Sequence, residues 1–157
     1  MIDKAALRDE LRAQLASALE RAEAAHAAAI EGATHAEAKA ENPKDTRGLE
    51  QSYLARGQAQ RVAELATGLA AVEALALRVF APGDPVAMSS LVTIDEDGAT
   101  QRWFIAPAGG GNVLAGDVAV VTPSSPLGQA LIGKRVGDEV EIRLPRQLRT
   151  LSITALA

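Results

Sequence analysis

Ala81-Pro82-Gly83-Asp84-Pro85 divides this chain into two halves. Two prolines and a glycine in five residues stop a helix, because proline lacks the N–H that the ladder needs and restricts the residue before it. The apolar pattern on one side has the period of helices, and on the other the period of strands.

N-terminal to this stretch, residues 1 to 80 hold 23 alanines, a single proline at Pro43, and glycine only at 32, 48, 57 and 68. From Ile2 to about Ala40, the residues Leu7, Leu11, Leu15, Leu19, Ala22, Ala29 and Ile30 recur at spacings of three, four or seven. Arg8, Arg12, Glu20, Arg21, Glu23 and Glu31 fall elsewhere, so the pattern predicts a long amphipathic helix. It breaks at Glu41-Asn42-Pro43-Lys44-Asp45-Thr46, where Asp45 or Thr46 can cap a second helix. From Arg47 to Phe80 a second stripe runs through Leu54, Val62, Leu65, Leu69, Val72, Ala76 and Val79, with Arg61 on its shoulder. At about 1.5 Å per residue, two such helices are each roughly 45 to 60 Å long and bury their stripes best against each other. The expectation is an antiparallel coiled-coil hairpin over 1–80 with its tip at about 41–48. It should be slender because of its alanines, with Gly48 and Gly57 each weakening the second helix by about 1 kcal/mol relative to alanine.

C-terminal to the stretch, strand-like runs stand at 88–95, 100–105, 118–122, 139–144 and 150–156. Asp95-Glu96-Asp97-Gly98 reads as a hairpin turn. Ser125 to Ile132 reads as a short helix with Ser125 as cap and Pro126 in its first turn, ended at Gly133. Trp103 and Phe104 are neighbours on a strand and point to opposite faces, one into the core and one partly to solvent. The fold class is therefore α+β: the long hairpin over 1–80, a linker at 81–85, and a small, mostly antiparallel sheet with a short helix over 86–157.

Composition narrows function mainly by exclusion. In 157 residues there are 16 basic and 20 acidic side chains, a net charge of −4 that argues against coating duplex nucleic acid. The absence of cysteine excludes disulfides, a thiol nucleophile and zinc sites with thiolate ligands, and His26 and His35 alone make no all-histidine metal site. Charges at Asp3, Lys4, Arg8, Asp9 and Glu10 leave no signal-peptide core, and no run of roughly 18 apolar residues occurs, so a cytoplasmic location is expected. Gly109-Gly110-Gly111-Asn112 lacks the spacing and the Lys-Ser/Thr pair of a phosphate loop and reads as an inter-strand loop.

The run Ser125-Pro126-Leu127-Gly128-Gln129-Ala130-Leu131-Ile132-Gly133-Lys134-Arg135-Val136-Gly137-Asp138-Glu139-Val140 resembles the signature of the bacterial Gre transcript-cleavage factors. The layout is similar too: an N-terminal coiled coil, then a domain opening with a strand such as Leu91-Val92-Thr93-Ile94 and an acidic turn. The resemblance implies an FKBP-like fold for the C-terminal domain and bacterial RNA polymerase as partner. The globular domain would sit near the rim of the polymerase secondary channel, with the hairpin inside it near the nascent RNA 3′ end. It implies neither a membrane nor a small-molecule substrate. Within the run, the residue types themselves suggest structure: Ser125, Pro126, Gly128, Gly133 and Gly137 for cap and bends, Leu127, Leu131, Ile132 and Val136 for the core, and Asp138 for the turn into the last hairpin.

In that family two acids at the hairpin tip, three residues apart and followed by a tyrosine, help hold a catalytic Mg²⁺ shared with the polymerase, which supplies the main active site. A divalent ion needs such oxygen ligands to activate water against a phosphodiester. Here Asp45 matches the first acid, but Gly48 stands three residues on and Glu50 five. Aligning on Tyr53 puts Leu49 at the second acid. Asp45 with Glu50 or Glu41 either assists a polymerase-held Mg²⁺ or serves as caps and solvated acids. Arg47, Tyr53, Arg56 and Arg61 either contact polymerase or RNA or take ordinary helix roles, Tyr53 by packing across the hairpin neck. On this reading the chain is no independent enzyme and binds no cofactor stably. It is a secondary-channel elongation factor that stimulates cleavage of backtracked RNA, a non-cleaving regulator that occludes the channel, or a Gre-fold interaction protein without polymerase binding.

Overall fold

The computed structural model describes residues 1–39 and 47–157. The elements are α1 (Lys4–Lys39), α2 (Arg47–Glu73), β1 (Leu91–Glu96), β2 (Ala99–Ile105), β3 (Val113–Leu114), β4 (Val118–Val121), α3 (Pro126–Leu131), β5 (Glu139–Leu144) and β6 (Gln147–Leu156). They fall into two compact units, one of residues 13–70 and one of residues 1–12 with 71–157. The caps expected at Asp45 or Thr46 lie outside the described residues.

In the helical unit, α1 and α2 pair as expected. Leu15, Ala22 and Ala29 of α1 and Leu65 of α2 are buried. The His26 Nδ1–H donates to the Ala55 carbonyl at 3.1 Å. A Cβ on Gly32 would stand 3.0 Å from Gln51 Oε1. Position 26 faces 55 and position 32 faces 51, so the helices run antiparallel. Ala76 and Val79 of the expected second stripe are exposed beyond this unit, and within it Ile30 is 47% and Leu54 49% exposed. Their neighbours Ala29 and Ala55 take the seam instead, and on a helix adjacent residues lie about 100° apart.

Helix α2 ends at Glu73 rather than near Phe80. No proline stops it. The backbone that follows finds partners outside the helix: the Leu75 carbonyl accepts from the Arg8 guanidinium at 3.4 Å, the Arg78 carbonyl from Lys4, and the Arg78 N–H donates to Ser89 Oγ at 2.9 Å. Leu75 is itself buried. Tertiary contacts thus override helix propensity over residues 74–80.

The second unit is a six-stranded mixed sheet in the order β3-β4-β2-β1-β6-β5. Four pairings are antiparallel, as expected, but β2 pairs with β4 in parallel, Phe104 opposite Val120. The reason is β3, two residues too short to leave a pattern in the sequence. The chain leaves β2, reverses through β3, and reverses again into β4. The β1–β2 turn is as read: Asp97 and Gly98 both have positive φ, +52° and +83°, the geometry of a two-residue hairpin loop. Asp95 Oδ1 accepts the Gly98 N–H at 3.2 Å.

Trp103 and Phe104 are both buried, at 4% and 0% exposure. This corrects the expectation that one would meet solvent, and it follows from cover on both faces of β2. One face joins Trp103 with Val92, Ile94, Ile105, Val121, Leu151 and Ile153 under Leu131 of α3. The other carries Leu91, Phe104 and Val120 in register, all buried. The first turns of α1 pack in this unit: Leu7 and Leu11 are buried, and Leu11 reaches Gly109 in the loop leaving β2. Glu10 accepts the Ala115 N–H at 2.9 Å. Asp3 caps the helix by accepting the Ala5 N–H at 2.9 Å.

Arg149 grips Glu96 through Nε and Nη2 at 2.8 and 2.6 Å, tying β6 to the end of β1. Hydrogen bonding from Arg149 holds the Glu96 carboxyl below the usual carboxylate range. A carboxyl lowered on folding stabilises above its unfolded pKa, and that contribution is lost as pH falls through the folded value. Urea unfolding of Arg149→Ala should therefore differ most from wild type at neutral pH, with the gap closing below the ordinary glutamate range. A gap that persists unchanged in acid would show that Arg149 stabilises by packing alone.

Candidate functional site

Two surfaces carry the residues singled out by the sequence, one in each unit. In the helical unit, Glu50 lies in the first turn of α2 and is exposed, free to act as a ligand or a cap. Asp45 and Glu41 lie outside the described residues, and Arg47 opens α2. Among the described residues no group of three or more His, Asp or Glu side chains is placed to hold a metal ion by itself.

Tyr53 resolves in favour of the outer surface. It is 58% exposed, with the Arg56 guanidinium 5.5 Å from its ring centre. Leu49, Tyr53 and Arg56 follow at spacings of four and three along one exposed face. Gln51, Ala55, Gln58, Val62 and Leu65, on the other side of the helix, are half-buried or buried. Tyr53 therefore does not pack across the hairpin neck. It and Arg56 form a preformed aromatic and cationic plate on the face away from α1, with Arg61 exposed further along. On α1, Arg21 donates to Ser17 at 2.8 Å, and Arg8 lies 3.6 Å from Asp9.

In the second unit, the run from Ser125 to Val140 acts structurally. Ser125 caps α3 by accepting the Gly128 N–H at 3.0 Å and donates to the Thr122 carbonyl at 2.8 Å, with Pro126 at the first helical position. Gly133 and Gly137 take φ of +85° and +94°, the bends the sequence called for. Gly128 does not bend the chain. It sits inside α3 because a Cβ there would lie 1.9 Å from the Thr122 carbonyl oxygen. Asp138 Oδ2 accepts the Arg135 N–H at 2.8 Å, as its turn role requires. Gly133 and Lys134 exchange backbone hydrogen bonds with Val86, and the Arg135 guanidinium donates to the Gly83 carbonyl. The run thereby ties the domain's entry segment to its last hairpin.

Leu127 packs on the core and Leu131 is fully buried, but Ile132 and Val136 are 39% and 48% exposed, contrary to expectation. Both follow the end of α3, where the chain turns twice and the helical period no longer assigns a face. The loop over Gly109 to Asn112 connects β2 to β3 and spends its amides internally, Gly111 N–H on Val120 and Asn112 N–H on Gly109. A cleft of about 260 Å³ lies between β2 and the turn before β4, lined by Thr100, Arg102, Trp103 and Asp117 among others. The sequence carried no sign of it, because the parallel pairing that forms it depends on β3.

Residues 81–157 match the family model described as "Transcription elongation factor, GreA/GreB, C-term". Among curated relatives, the transcription elongation factor GreA of Rhodospirillum rubrum is 36% identical over 74 residues, 46% of this chain and 45% of that protein. GreA of Azorhizobium caulinodans is 34% identical over 95 residues, 59% of this chain and 58% of that protein. The chain thus spans about half the length of the curated relatives it matches. Among solved structures, GreA factor homolog 1 (Gfh1) of Thermus thermophilus aligns over 93% of this chain and 94% of its own, at 21% identity and a TM-score of 0.41. A GreA/GreB factor from Nitrosomonas europaea aligns over 69% and 88%, at 21% identity and a TM-score of 0.38. No helix among the described residues is long and apolar enough to cross a membrane.

Proposed function

We propose that this chain, a Gre-like factor whose residues 81–157 form a GreA/GreB C-terminal domain, regulates transcript elongation by binding bacterial RNA polymerase at its secondary channel. The family match over that domain, with the Ser125 to Val140 run intact, is the observation that carries the reading. In this view the C-terminal unit anchors the factor at the channel rim and the distal end of the helical pair reaches toward the RNA 3′ end. Glu50, with Asp45 or Glu41, would lend carboxylate oxygens to a Mg²⁺ held mainly by the polymerase, which activates water when bound. Tyr53 and Arg56 would offer a ring and a cation to the polymerase wall or to an unpaired base.

A second reading, a factor that occupies the channel without promoting cleavage, is favoured by the five-residue step from Asp45 to Glu50 and by Leu49 in place of the second acid. Backtracked elongation complexes separate the two. RNA length and factor binding are followed together while Mg²⁺ is varied. The cleavage reading expects Asp45→Ala and Glu50→Ala to bind as wild type does and to lose stimulation by about tenfold or more. Binding without any stimulation by wild type selects the occluding reading. Failure of the wild-type protein to bind polymerase rejects both.

A further inference from the structure

Where the first turn of α1 meets the segment after α2, two cations share one aromatic ring. The Lys4 Nζ and the Arg78 guanidinium carbon each lie 4.8 Å from the centre of the Phe80 ring. The Lys4 ammonium also donates to the Arg78 carbonyl. A ring face attracts a cation, but a second cation nearby brings repulsion.

Among the described residues no ion pair offsets this. Ion pairs among the described residues are Arg8 with Asp9, His35 with Glu31, and Arg149 with Glu96, and none involves Lys4 or Arg78. Burial, and then the charge of Arg78, hold the Lys4 ammonium below the ordinary lysine range. An anion placed against the pair would relieve the repulsion and replace lost hydration. Between the two cationic and aromatic residues in sequence, Val79 is 94% exposed, an apolar side chain presented wholly to solvent. The ring and the carbonyl already restrain the Lys4 side chain, so less side-chain freedom would be lost on binding.

We propose that Lys4, Arg78 and Val79 form a docking point for an acidic segment of a protein partner, with a carboxylate against the two cations and an apolar side chain against Val79. Val79 favours a protein segment, whose side chains can match its apolar surface, over a phosphate chain, which has no group to match it. The inference rests on the reading above, with polymerase as the partner that carries the segment, and it supplies the chemistry by which the C-terminal unit would be held.

The test titrates core RNA polymerase, once free of nucleic acid and once as an assembled elongation complex, with the full chain as wild type, as the double variant Lys4→Gln/Arg78→Gln, and as Val79→Asp, at low and at physiological salt. Val79→Asp changes a fully exposed side chain and decides the matter even if the double variant melts early. Both variants should bind about tenfold to a hundredfold more weakly at low salt, and the double variant should lose most of the salt dependence seen in wild type. Wild-type affinity in both variants overturns the docking point while leaving the polymerase reading intact. Failure of wild type to bind core polymerase overturns the two together. A loss confined to complexes that carry nucleic acid overturns the acidic-segment assignment in favour of phosphate contacts.

Discussion

Gly128→Ala is expected to destabilise the C-terminal unit by about 3 kcal/mol or more, read from urea unfolding and from a lowered melting temperature. The added Cβ would lie 1.9 Å from the Thr122 carbonyl oxygen, 2.8 Å from its carbon and 2.9 Å from Pro123 Cα, all backbone atoms that cannot rotate away. Nor can that backbone retreat cheaply. Ser125 Oγ bonds both the Thr122 carbonyl and the Gly128 N–H, so the loop and the first turn of α3 are clamped by one side chain. Gly57→Ala is the control. Its Cβ meets nothing within 4 Å on α2, and alanine there should stabilise by up to about 1 kcal/mol. A Gly128→Ala protein with wild-type stability would show that the Thr122 to Ser125 segment can shift as a whole.

The second large effect contrasts two residues of one helix. Leu11→Ala should cost about 2 to 5 kcal/mol, because Leu11 is fully buried and its removal leaves a cavity beside Gly109. Ile30→Ala, on the same apolar stripe, should change stability by no more than about 0.5 kcal/mol, since Ile30 is 47% exposed. Equal losses at both positions would mean that the helical seam reaches Ile30 in solution and that Ala29 does not occupy it alone.

These cases mark how far the chain could be read in advance. The two helices, the Asp97-Gly98 turn and the Ser125 cap rest on contacts within a few residues, where spacing and residue type carry the information. Burial at single positions did not follow from the same patterns. Ile30, Leu54, Ile132 and Val136 looked like core and are exposed, while Trp103 and Phe104 are buried together. Which neighbour enters a seam depends on the facing surface, and small residues such as Ala29 win where the two helices approach closely. At the candidate site, Glu50, Tyr53, Arg56 and Arg61 could be named from the sequence, but the outward face of Tyr53 became visible only once α2 had a partner.

Sequence alone determined the elements and the family resemblance: the division at Ala81 to Pro85, an alanine-rich helical half, and a strand half bearing the Ser125 to Val140 run. Tertiary structure decided the parallel pairing of β2 with β4, the end of α2 at Glu73, and the meeting of Lys4, Arg78 and Phe80. The first set depends on interactions between near neighbours, which a linear pattern records. The second depends on residues far apart in the sequence, 74 positions in the bond from Lys4 to Arg78, whose juxtaposition exists only after the chain has closed on itself.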